Sequence, residues 1–93
     1  MARSIGISPL RKVETIEGAI GTVVAHHRVR NGLSQAALAD KLCCGISYIS
    51  QLERGQINPS LRKVLALASA LGMEAGKLVG EVDHKIRKFK AKR

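Results

Sequence analysis

Ninety-three residues suit one small domain, which at this size removes only about 60 to 65 % of its unfolded surface from water. Sixteen Lys plus Arg stand against seven Asp plus Glu, a formal net charge of +9, so the natural partner is a polyanion. No segment approaches the ~18 apolar residues of a membrane span, and MARSIGISPLRK holds no apolar run of signal-peptide length, so a cytoplasmic protein is expected.

With 45 % hydrophobic residues but only Tyr48 and Phe89 as aromatics, the core must be aliphatic, a composition that suits close-packed short helices. Residues 1–15 contain Gly6 and Pro9, show no clean period, and read as an N-terminal arm. Ile16 opens a helix in which Ile16, Ile20, Val23, Val24 and His27 fall on one face at spacings of three and four, and Asn31-Gly32 suits a left-handed C-terminal cap. Gly18 and Gly21 weaken the first turns of that helix by roughly 0.5 to 1 kcal/mol each relative to Ala.

Two short helices and a tight corner follow. Ser34 is a good N-cap for a helix carrying Ala36, Ala37, Leu38, Ala39 and Leu42. A second helix is expected from Ile46 to Arg54, with Ile49 and Leu52 on one face and Ser47, Ser50, Gln51 and Arg54 on another. Cys43, Cys44 and Gly45 make the corner, and two helices across so short a turn form a helix-turn-helix unit. Gly55 ends the second helix, Gln56 to Pro59 form a turn, and Ser60 caps the next helix. There Leu61, Val64, Leu65, Ala68 and Leu71 are expected to bury one stripe, closed by Gly72. Met73 to Val79 allows one more short helix before Gly80. Residues 16–80 are thus expected to form the domain. Residues 81–93 form a basic tail, because Lys85, Arg87, Lys88, Lys90, Lys92 and Arg93 supply six cations while residues 1–83 hold ten cations against seven acids, only +3. No internal repeat or strand-like alternation is present, so the fold class is an all-α bundle of five helices.

Gly32-Leu33-Ser34-Gln35, Leu38-Ala39, Ile49-Ser50-Gln51-Leu52-Glu53-Arg54-Gly55 and Asn58-Pro59-Ser60-Leu61 carry a resemblance to the Cro/C1-type, lambda-repressor-like or Xre family of helix-turn-helix proteins. The likeness covers roughly Ile20 to Leu78. Within the family, Tyr48-Ile49-Ser50 and the segments that follow look most like the controller proteins of restriction-modification systems. The resemblance implies a DNA-binding domain whose second helix of the pair lies in the major groove.

On that reading Ile46, Ser47, Ser50 and Gln51 are the candidates for base contacts. A Gln amide bonds adenine N6 and N7 with both ends, Ser addresses several edges, and an exposed Ile touches a thymine methyl. The competing reading of each is a solvated helix face, Ser50 being the most exposed to it because it points off-axis. Gln35 sits at a helix N-terminus, where free amides attract phosphate, and its side chain also suits bracing of the reading helix. Tyr48 offers its hydroxyl to a phosphate, and its ring equally suits the core. Arg54, Asn58, Ser60 and Lys63 cluster round the turn after the reading helix and suit phosphates of one strand, or simply water. The family's ion pair between the first helix and the reading helix falls on Arg28 and Glu53, against the plainer reading of two unrelated surface charges.

Departures from the family pattern fall on Gly45, where a Ser or Thr N-cap is usual, and on His27, where an aliphatic is usual. Cys43 and Cys44 replace a Gly and an apolar residue; adjacent cysteines chelate poorly, no CxxC spacing exists, and Cys44 reads as a small core hydrophobe, so no metal is expected. No nucleophile with a base, no paired carboxylates and no phosphate loop can be assembled, so neither an enzyme, a cofactor nor a small-molecule substrate is expected. The expected partners are double-stranded DNA and a second copy of the chain, in a regulator that binds a palindromic operator. The alternatives are an antitoxin-type autoregulator and a non-specific nucleic-acid binder driven by the basic tail.

Overall fold

The computed structural model describes residues 15–91. Apart from Thr15, the expected N-terminal arm lies outside them, as do Lys92 and Arg93. Among the described residues five helices follow one another: α1 (Ile16–Arg30), α2 (Gln35–Lys41), α3 (Ile46–Glu53), α4 (Leu61–Ala70) and α5 (Ala75–Ala91). Among the described residues there is no strand. The all-α reading and the order of elements hold.

Local sequence explains the ends. Thr15, Ser34 and Ser60 cap α1, α2 and α4, their hydroxyls accepting the amides of Gly18, Ala37 and Lys63 at 2.9, 3.0 and 3.1 Å. Gly45 at the start of α3 has no side chain to do so, and that helix begins without a side-chain cap bond. Three helices end on a glycine in the left-handed region, as at Gly32 with φ +71°. At α2 the same place is taken by Cys43, with φ +54°, and the Cys44 amide closes the cap onto the Ala39 carbonyl at 3.0 Å. The corner of the helix-turn-helix is therefore built on a side-chain-bearing residue in a conformation that L-residues adopt at a cost.

One aliphatic core joins all five helices. Val23, Val24, Leu38, Ile49, Leu52, Leu67 and Leu78 are its largest fully buried side chains, each worth about 1.5 to 3 kcal/mol of burial. α1 packs on α3 and α5, α2 on α3, and α4 on α5. The crossing of α1 over α3 depends on Gly21. A Cβ there would stand 2.4 Å from the Leu52 carbonyl oxygen and 2.9 Å from that of Glu53, so the glycine that weakens the isolated helix is what lets α1 approach α3.

Four expectations require correction. Ile16 is 59 % exposed, because it stands in the first turn beyond the last core position. On α4 the buried set is Val64, Leu67, Ala68 and Leu71, whereas Leu61 and Leu65 are 72 % and 52 % exposed. Leu65 lies about 100° round the helix from Val64, and Leu67 takes the place in the stripe assigned to it. Helix α5 does not stop at Gly80 but runs through the charge run to Ala91. Val82 is buried in the core and Ile86 packs against it, so the segment expected as a tail holds a packed helix face under its cations. Thr15, assigned to the arm, belongs structurally to α1 as its cap.

Candidate nucleic-acid interface

Helix α3 divides its residues cleanly. Ile49, Leu52 and Glu53 are buried, while Ser47, Gln51 and Ile46, the last 53 % exposed, stand in solvent. Ser50 is half-buried at the edge of that face. An exposed Ile flanked by a hydroxyl and an amide on a rigid helix offers the apolar and two-ended polar groups that base edges require. The inner face of α3 is fixed by apolar packing, and its C-terminal end by a polar network.

That network centres on Glu53, 8 % exposed. Arg28 of α1 donates to its two carboxylate oxygens, from Nε at 2.6 Å and from Nη2 at 3.0 Å, in a fork-to-fork geometry. The bond to Glu53 raises the Arg28 guanidinium above its ordinary value, burial opposing it. Its remaining nitrogen, Nη1, donates to the Leu33 carbonyl at 2.8 Å, at the turn between α1 and α2. Gln35 at the start of α2 adds a third bond, from Nε2 to Glu53 Oε1 at 3.0 Å. One carboxylate thus ties α1, α2 and α3 together. Gln35 is half-buried and braces α3 through the Glu53 carboxylate.

Arg54 is exposed as the C-cap of α3, and Asn58 is exposed, donating to Glu17 of α1 at 3.2 Å. Ser60 is used as the α4 cap, its hydroxyl oxygen accepting a backbone amide. Lys63, one turn into α4, holds its ammonium 5.2 Å from the centre of the Tyr48 ring. That ring packs against the core at half-burial, which pushes the phenol above its ordinary value. The expectation of a half-buried core Tyr therefore describes the ring. Cys44 is half-buried against the core, in keeping with a small hydrophobe, and Cys43 is exposed.

A family profile described as Helix-turn-helix matches residues 25–78. The chain belongs to the Cro/C1-type helix-turn-helix family. It is 37 % identical over 62 residues to the immunity repressor protein of Bacillus phage phi105, a match spanning 67 % of this chain and 43 % of that repressor. The chain therefore spans less than half the length of that curated relative. Among solved structures, the clp gene regulator ClgR from Corynebacterium glutamicum superposes with a TM-score of 0.78 at 23 % identity, over 84 % of this chain and 83 % of that one. A second crystal structure of the same regulator gives 0.73 at 24 % identity, over 77 % and 92 %. These two likenesses establish the helix-turn-helix fold.

Within this Cro/C1-type domain, two pairings escaped sequence reasoning. His27, unusual for the family, bonds the Glu81 carboxylate through Nε2 at 2.7 Å and so clamps α1 to α5; it lowers Glu81 below the ordinary carboxylate range. Asn31 donates to the Leu71 carbonyl at 3.2 Å, tying the end of α1 to the end of α4. Their separations along the chain, 54 and 40 residues, leave no local signal.

Proposed function

We propose that the chain is a sequence-specific DNA-binding transcriptional regulator that acts as a repressor, bound as a homodimer to a palindromic operator. The observation that carries this reading is the division of α3, with Ile46, Ser47 and Gln51 outward while Ile49, Leu52 and Glu53 anchor it. On this reading Ile46, Ser47, Ser50 and Gln51 address base edges, and Gln35, Tyr48, Arg54, Asn58, Ser60 and Lys63 hold phosphates. Likeness to a phage immunity repressor supports repression as the output. One reading helix covers only a few base pairs, so two of them about 34 Å apart on one face of the duplex supply the affinity. Leu78 is wholly buried within the domain, whereas Val79 is 48 % exposed on α5 and supports contact with a second copy.

The decisive experiment selects an operator from a random pool and measures every single-base substitution of it against parent and Gln51→Ala. Gln51→Ala should cost roughly 1 to 3 kcal/mol on the best site and relax the preference at one symmetric pair of positions. Preference unchanged at every position would remove α3 as the reading helix. A second reading, non-specific binding driven by charge, is favoured by the cations Lys85, Arg87, Lys88 and Lys90 along one helix. Competition with excess unrelated duplex separates the two, since only a specific regulator keeps its operator.

A further inference from the structure

Helix α1 carries α3 and α5 on opposite faces. Gly21 admits the Leu52 carbonyl of α3, Arg28 bonds Glu53 of α3, and these two residues stand within about 20° of each other round α1. Val23 and His26 line a groove with Lys77, Glu81 and Lys85 of α5, and His27 bonds Glu81 at 2.7 Å. These three stand roughly 140 to 240° round α1 from Gly21. Seen from α3, α5 therefore lies behind α1, on the far side of the domain from the face that Ile46, Ser47 and Gln51 turn outward.

The sequence concentrates its charge there. No acid follows Asp83, while Lys85, Arg87, Lys88, Lys90, Lys92 and Arg93 supply six cations. Both carboxylates of α5 are engaged, Glu81 by His27 and Asp83 by Arg87 at 2.9 Å. Arg87, Lys88 and Lys90 are exposed, and the core contacts of this stretch are made by Val82 and Ile86. The helix dipole favours cations in a last turn, but that effect falls off within the turn, whereas the run begins at Lys85 and its members repel one another.

We propose that the exposed basic end of α5 binds the phosphates of a second DNA duplex, so that a domain seated on DNA through α3 bridges it to another segment. The inference rests on the reading of α3 given above. Duplex DNA fits this surface better than other polyanions. A membrane would require apolar residues beside the cations, yet Gly80, His84, Arg87 and Ala91 occupy the outer face. Single-stranded RNA would require aromatic side chains open to stacking, and both aromatics of the chain, Tyr48 and Phe89, are half-buried.

The test uses the full chain, an operator duplex fixed to beads and a labelled duplex of unrelated sequence. The parent should carry the labelled duplex to the beads, and capture should fall steeply as salt rises. Lys88→Glu with Lys90→Glu should lower capture by about tenfold or more and leave operator affinity within about twofold. Lys88→Gln with Lys90→Gln should lower it less, and keeps the proposal testable should the charge-reversed chain fail to fold. Gln51→Ala should reduce the protein held on the operator without changing capture per bound protein. Full capture by the charge-reversed variant, or an equal loss of its operator affinity, would overturn the proposal, the second by placing α5 on the same duplex as α3. Binding of anionic vesicles or single-stranded RNA without capture of duplex would overturn it as well. Should no operator emerge, the reading of α3 fails by itself, and bridging between two unrelated duplexes still tests α5.

Discussion

Arg28 meets Glu53 through two nitrogens, at 2.6 and 3.0 Å, and the same carboxylate accepts a bond from Gln35 at 3.0 Å. The pair is poorly hydrated, with side-chain exposures of 15 % and 8 %. Removing one partner therefore leaves a charge that water reaches only in part. We expect Glu53→Ala to destabilise the domain by about 3 kcal/mol, more than a surface pair would lose. Denaturant unfolding measures it. Replacing Arg28 and Glu53 together with apolar residues should cost less than Glu53→Ala alone. Equal losses would show that the stranded charge is not the cause.

Cys43 stands in the left-handed region with φ +54°, at the corner before α3. Leaving that conformation to glycine removes about 1 to 2 kcal/mol of strain, against about 0.5 to 1 kcal/mol of extra freedom in the unfolded chain. Cys43→Gly should therefore raise stability, by up to about 1.5 kcal/mol. A lower denaturation midpoint in the variant would contradict the strain assigned to this turn.

Two helical glycines should respond oppositely to Ala. Helix propensity alone favours both substitutions by about 0.8 to 1 kcal/mol. At Gly80, where a Cβ meets nothing within 4 Å, that gain should appear in the melting temperature. At Gly21 the Cβ would stand 2.4 Å from the Leu52 carbonyl oxygen, a backbone atom that moves only with α3. Gly21→Ala should lose several kcal/mol, as overpacked sites do, and should weaken DNA binding by displacing the reading helix. A stable Gly21→Ala would remove the close approach of α1 as a determinant of the fold.

The His27 bond lowers the Glu81 carboxyl below its ordinary value of 4.5. A carboxyl depressed in the folded state contributes stability that is present above its unfolded value and lost as pH falls through the folded one. Glu81→Gln should therefore be less stable than the parent near neutral pH, and the difference should shrink as pH falls below about 4.5. Paired thermal melts across the acid range check this. A difference that grows towards acid would reverse the sign and dismiss the clamp as a source of stability.

Local chemistry in the sequence determined most of the elements. Ser34 and Ser60 announce α2 and α4 because a hydroxyl before an apolar-periodic run satisfies free amides, an interaction contained within four residues. The exposed and buried faces of α3 were legible for the same reason, since Ile49 and Leu52 recur at helical spacing between polar residues. The Arg28–Glu53 pair was legible only through family resemblance, because 25 residues separate its members. What lies across the core was decided by the tertiary structure. Leu61 and Leu65 fit an apolar stripe on spacing alone, yet the direction from which the other helices approach selects Val64 and Leu67 instead. Gly21 reads as a weak point within its own helix and becomes a requirement once α3 lies against it. The cations after residue 83 conceal Val82 and Ile86, which hold a helix only because α5 has a core to pack upon. Propensity and capping act within a turn or two of chain, whereas burial depends on which surfaces meet, and the sequence carries that information only jointly.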